Sequence, residues 1–222
     1  MCGRFTITDP IEEIMDRYYA SIAEGYEYKP NYNAAPMQFI PTIIGSKDGN
    51  RLGALRWGLV PNWAKDEKIG NKMINARAET LTEKPAFKRL ISSKRCIIPC
   101  SGFYEWKKDG SVKQPMRILM KDDSIFSLAG LYDTWIDPEG NKLSTCTIIT
   151  TEPNSLMADI HDRMPVILRP QDEADWLNKE SDKESVLRLL SPHEADEMIA
   201  YKVDSAVGNV RNNNEELIRE VS

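Results

Sequence analysis

No run of apolar residues in this 222-residue chain is long enough to cross a bilayer as a helix. No basic start followed by an apolar stretch marks a secretory signal. Cysteine is scarce: Cys2, Cys96, Cys100 and Cys146 lie far from any even framework of bridges. Cys96 and Cys100 stand close, but no second pair and no nearby histidine completes a zinc-type ligand set. No metal is therefore expected. Without a secretion signal, all four cysteines read as reduced thiols of a cytoplasmic protein. Histidine is scarcer still, with only His161 and His193. A glycine-rich phosphate loop is also missing, so no cofactor is expected. These absences set aside membrane proteins, disulfide scaffolds, zinc domains and P-loop enzymes.

What remains is ordinary globular composition, 41% hydrophobic and 28% charged. The length suits one substantial domain, expected to span 1–222 with a monomer favoured. The net charge of −5 argues weakly against a nucleic-acid partner, but it is unevenly spread. Residues 1–100 hold 15 Lys+Arg against 11 Asp+Glu, and residues 101–222 hold 14 against 23. Much of the acidic excess lies in 171–198, which reads as solvated helix faces. The first half can thus present a basic surface on an acidic protein.

Five apolar, β-branched or aromatic stretches read as strands: 39–45, 52–60, 95–99, 124–132 and 143–151. Helical patterns fall at 83–93, 172–178 and 183–190. Asp9-Pro10 before IEEIMDRYY reads as a capped helix start with proline at the first helical position. Strands dominate the middle without alternating with helices. The expected class is α+β: a single domain with a curled, mixed or antiparallel, barrel-like sheet flanked by helices.

Six short segments stand apart: MCGRF (1–5), NYNAAP (31–36), INARAET (74–80), GFYEW (102–106), IHDRMP (160–165) and AVGNVRN (206–212). Each mixes a chemically capable residue with glycine, proline or an aromatic. Singly, each has a plain reading. GFYEW is also an ordinary strand with an exposed Glu105, and Asn75 also caps the turn after it. His161 also serves as a structural histidine. His193 follows Ser191-Pro192 in the acidic run, where a cap or surface role fits better, so elimination leaves His161 as the catalytic candidate. Cys2 is the oddest placement, because termini are the least ordered parts of domains and a packing cysteine belongs inside an element.

In order and spacing, MCGRF, NARAET, GFYEW and IHDRMP resemble the SOS-response-associated peptidase (SRAP) family, the abasic-site-processing proteins. The resemblance runs from Met1 to about Asn212. It implies catalytic roles for Cys2, Asn75, Glu105 and His161. It also implies a covalent adduct formed preferentially in single-stranded DNA, protection of the lesion from strand cleavage, removal of Met1 as self-processing, and reversal of the crosslink.

The residues carry chemistry of their own. Loss of Met1 would leave Cys2 with an α-amine and a thiol on adjacent carbons. An α-amine has a pKa of about 8, so part of it is neutral near pH 7 and can attack an aldehyde. The thiol then closes a thiazolidine, with the advantage of intramolecular attack, about 10⁵ M or more in effective molarity. The basic first half suggests an anionic carrier for that aldehyde. An abasic site in single-stranded DNA supplies both the aldehyde and the phosphates.

Arg4, Arg77 and Arg163 are candidate phosphate ligands, and Trp63 is a candidate stacking or wedging residue. Asn33, Pro36 and Asn209 complete the candidate DNA-binding set. Ala64 stands where the family often has a second aromatic, which makes the expected wedge smaller. His161 is assigned to the departing ring oxygen of the sugar, Glu105 to proton transfer at the amine, and Asn75 to orientation. Two other readings remain at this point: an N-terminal-nucleophile hydrolase acting on amides, and a non-enzymatic binder of single-stranded DNA.

Overall fold

The computed structural model describes residues 2–110 and 112–222, apart from the side chain of Asp109. Fourteen strands are present among them. The first seven are β1 (Phe5–Ile7), β2 (Ala20–Ile22), β3 (Asn31–Ala34), β4 (Phe39–Ser46), β5 (Gly49–Trp57), β6 (Asn75–Arg77) and β7 (Arg95–Cys100). The rest are β8 (Gly102–Asp109), β9 (Val112–Met120), β10 (Phe126–Ile136), β11 (Lys142–Thr151), β12 (Met164–Pro165), β13 (Ile167–Leu168) and β14 (Met198–Lys202). The α-helices are α1 (Ile11–Tyr18), α2 (Leu90–Ser93), α3 (Ser155–Ala158), α4 (Glu173–Leu177) and α5 (Lys183–Arg188).

One sheet closes on itself. Its strands run β11-β10-β7-β4-β5, and β5 returns to pair with β11 in parallel, placing Arg56 opposite Thr145 and Trp57 opposite Cys146. The other pairings round this ring are antiparallel, so the barrel is mixed. Its five strands are the five that the apolar stretches of the sequence predict. Closure removes the two exposed edges that a five-stranded ribbon would leave. A second, antiparallel sheet runs β14-β9-β8-β1-β3. Between the sheets lies a continuous core that includes Phe5, Trp57, Ile97, Leu128 and Ile148. Phe5 meets Trp57 edge to face, with ring centroids 5.5 Å apart. Burying each such side chain contributes about 2–3 kcal/mol.

Two local expectations are corrected. Pro10 is the cap of α1, not its first helical residue, and no side chain caps the helix. The Asp9 carboxylate instead accepts from the Ser101 hydroxyl, which itself accepts from the Thr8 N–H. The Glu12 and Glu13 carboxylates in the first turn and Arg17 in the last still suit the helix dipole. Of the helix expected at 83–93, only Leu90–Ser93 forms. Pro85 lacks an N–H and disfavours helical geometry at Lys84, leaving turns before it. The acidic run is largely exposed, as expected, but Glu173 is buried, where it accepts both terminal nitrogens of Arg17 at 2.7 and 2.6 Å.

Gly45 shows how closely α4 packs on the barrel. A Cβ there would stand 2.5 Å from the carbonyl oxygen of Leu177, a backbone atom that cannot rotate away. Gly45→Ala is expected to lower stability by about 1–3 kcal/mol through overpacking, read as a lower urea midpoint with unchanged slope.

Candidate functional site

The motif residues, scattered in sequence, are positioned by β1, β6, β8 and the segment after α3. Cys2 leads into β1 and is wholly buried, like the other three free cysteines. Burial pushes its thiol well above the ordinary cysteine range, and the nearby Glu105 carboxylate adds to the shift. Met1 lies outside the described residues, and so does the expectation of its removal. Glu105 sits on β8 opposite Met116 of β9, and only 3% of it is exposed. Burial raises its pKa, against the pull of the His161 charge. Asn75 opens β6, parallel to β11 and opposite Ile148, so it is a strand residue and caps no turn. Its Nδ2 makes a long 3.5 Å contact to the Ile148 carbonyl, and its Oδ1 is buried with no partner among the described residues.

His161 follows α3, which Asn154 caps by accepting from the Met157 N–H. The His161 N–H returns to the Met157 carbonyl at 2.8 Å. The ring is oriented by its own chain: Nδ1 accepts from the Arg163 backbone N–H at 3.0 Å. Nδ1 also lies 2.9 Å from Asp162 Oδ1, so the backbone N–H and the carboxylate together orient this edge of the ring, and Nε2 lies 3.9 Å from Glu105 Oε2. Glu105 and His161 line one cleft together with Trp106, Lys108, Lys113 and Gly208.

The predicted DNA-contacting residues divide. Arg77 and Asn209 are exposed, Pro36 is half-buried in the turn before β4, and Trp63 is 56% exposed on a loop. Asn33 is buried: its Oδ1 accepts from Arg4, and its Nδ2 donates to the carbonyls of Val207, Asn209 and Asn212. Such an amide is fully occupied as a tie between β3 and the C-terminal loop. Arg4 is likewise drawn inward, donating to the carbonyls of Val207 at 2.7 Å and Gly208 at 3.2 Å. Arg163 forms a two-pronged pair with Glu79 at 2.7 and 2.9 Å and also donates to the Thr150 carbonyl. Its guanidinium fastens the His161 loop to Glu79 and β11. His193 is not at the surface but buried, with Nε2 2.7 Å from a Glu197 oxygen.

Sequence reasoning passed over Lys108, Lys113, Trp106 and Gly208 as cleft residues. The Asp-Gly pair after WKK was the available signal, because it marks a hairpin that folds Lys113 back onto Lys108. Among the described residues, no three His, Cys, Asp or Glu side chains converge to hold a metal ion. No helix among them is long and apolar enough to cross a membrane.

The family model described as "SOS response associated peptidase (SRAP)" matches residues 1–210. The abasic site processing protein YoqW of Bacillus subtilis (strain 168) is 57% identical over 222 residues, covering 98% of this chain and 99% of its own. The abasic site processing protein YedK of Escherichia coli (strain K12) is 31% identical over 227 residues, with both chains fully covered. A crystal structure of a protein from Bacteroides thetaiotaomicron superposes with a TM-score of 0.90 at 31% identity, again over the whole of both chains.

Because the Glu105 pKa is raised on folding, the folded chain keeps a proton at pH values where the unfolded chain has released it. Stability therefore falls as pH rises from the unfolded to the folded value, and the loss is complete above the latter. Glu105→Gln should be more stable than the parent at pH 7, with the gap shrinking toward pH 4. A tenfold weaker acid in the folded state corresponds to a gap of about 1.4 kcal/mol. Urea unfolding at the two pH values reads the gap, and an equal gap at both would mean that ionisation of Glu105 is not its source.

Proposed function

The chain belongs to the SOS response associated peptidase family, and from that premise we propose that it processes abasic sites in single-stranded DNA by capturing them on Cys2. Hydrolysis of the Met1–Cys2 bond, consuming one water, frees the amine. The open-chain sugar aldehyde is attacked at carbon by this amine, giving a carbinolamine that loses water to form an imine. The thiol sulfur then adds to the same carbon, and its proton passes to the nitrogen. The balance is one aldehyde and one aminothiol to one thiazolidine and one water. Two bonds from one residue hold the lesion and shield it from strand cleavage.

The observation that carries this reading is the approach of His161 Nε2 to Glu105 Oε2, 3.9 Å apart at one cleft, beside a thiol that feels the Glu105 charge. With a proton on Nε2, His161 is a donor suited to the ring oxygen that departs when the sugar opens. A buried carboxyl with a raised pKa is suited to taking a proton from the amine and returning it. Asn75 Oδ1, buried without a partner among the described residues, is an acceptor for a sugar hydroxyl or the ammonium. The buried thiol stays protonated, which protects it from oxidation until an imine stands beside it. Exposed Arg77 and Trp63 offer a phosphate contact and a stacking face for unpaired nucleotides.

Mixing the mature protein with an abasic oligonucleotide tests this. The expected product survives a denaturing gel, and its mass is the sum of the two reactants less one water. Cys2→Ala should lose the durable product. Cys2→Ser should give an imine that borohydride traps but heating releases, because an oxygen-containing ring reopens more readily. Equal durability for serine and cysteine would contradict ring closure by sulfur. Turnover of small amides with no DNA adduct would favour an N-terminal-nucleophile hydrolase instead.

A further inference from the structure

We propose that Lys108 and Lys113 form an anion subsite at the Glu105–His161 cleft and hold a phosphodiester next to the captured sugar. The inference rests on the function proposed above and names where the neighbouring backbone is gripped.

The two lysines face each other across the β8–β9 hairpin in direct register. Side chains so paired have Cβ atoms roughly 5 Å apart, and like charges there oppose folding. Both are exposed, and among the described residues no hydrogen bond or ion pair to either ammonium offsets this. Both line the cleft that contains Glu105 and His161. An anion bound between them would turn an unfavourable pair into a favourable three-charge arrangement.

Competing sources of positive charge are already committed. Arg4 is engaged by Asn33 and two carbonyls, and Arg163 by Glu79. The two lysines are thus the cations of the cleft wall left for a ligand. Lys108 is three residues beyond Glu105, roughly 10 Å along the same strand at about 3.3 Å per residue; the two side chains leave opposite faces of the pleat, and both reach the cleft lining. That distance suits a phosphate attached to the sugar whose carbon reacts near Glu105. Gly208 on the cleft lining has open space where a Cβ would stand, so packing does not require a glycine there, and the wall stays low for a passing strand. An ammonium grips phosphate as a point charge without fixed orientation. That fits a single strand whose sequence at the lesion is undefined.

The test compares the parent with the Lys108→Gln/Lys113→Gln double variant on two aldehydes. One is an abasic oligonucleotide, and the other is 2-deoxyribose, which carries no phosphodiester. Capture rates at limiting substrate are measured between low and moderate salt. The expected result is about a fivefold fall in the oligonucleotide-to-deoxyribose rate ratio at low salt. The slope of log rate against log salt for the oligonucleotide should become shallower by about 0.7, for the one single-strand phosphate that is no longer neutralised. An unaltered ratio and slope would overturn the subsite. So would an equal loss on both aldehydes, which would indicate damage to the reacting groups. If the parent captures neither aldehyde, the proposed function itself is wrong, and the subsite falls with it.

Discussion

The parallel pairing of β5 with β11 is the constraint on which this structure depends. It closes the barrel, and it makes β11 the strand to which the functional segments attach. β6, carrying Asn75 and Arg77, lies parallel along the far half of β11, from Ile148 to Thr150. β12, just after His161 and Arg163, pairs antiparallel with its last residues, Thr150 and Thr151. The Thr150 carbonyl holds the Arg163 guanidinium. One strand therefore sets the relative positions of two motifs that the sequence separates widely. The third, GFYEW, arrives on the second sheet and meets them across the cleft.

The site is built by spending charge on geometry. Several residues that look suited to DNA are used internally, and the use is specific. Glu79, two residues after Arg77, fixes Arg163, and the Arg163 backbone N–H fixes the His161 ring. The chain thus links the NARAET segment to the orientation of a histidine 82 positions beyond Glu79. Glu79 keeps its charge readily, because its hydrogen bond to Arg163 lowers its pKa. Each cation taken inward strengthens the frame and leaves the surface field to the residues that remain outside.

Much of this architecture was legible in the sequence, and the remainder was hidden for identifiable reasons. The five barrel strands are long, apolar and bounded by turn residues, so local pattern suffices for them. β12 and β13, each of two residues, carry no measurable period. The helix expected at 83–93 shows the right apolar spacing but is interrupted by one proline. Among site residues, the motif order brought Glu105 and His161 forward, but their 3.9 Å approach depends on how two sheets meet. The internal ties of Asn33 and Arg4 were not legible, because their partners lie more than 170 positions away. Nor could composition tell that Cys2, beside a terminus, would be packed as tightly as any core residue.

The ties from Arg4 to the carbonyls of Val207 and Gly208 span 203 and 204 positions. During synthesis, Arg4 is therefore made about 200 residues before the carbonyls that hold it. The seat of β1 and of the buried Cys2 beside it stays incomplete until those carbonyls have emerged, so the two ends of this long-range tie fold together and not in order of synthesis.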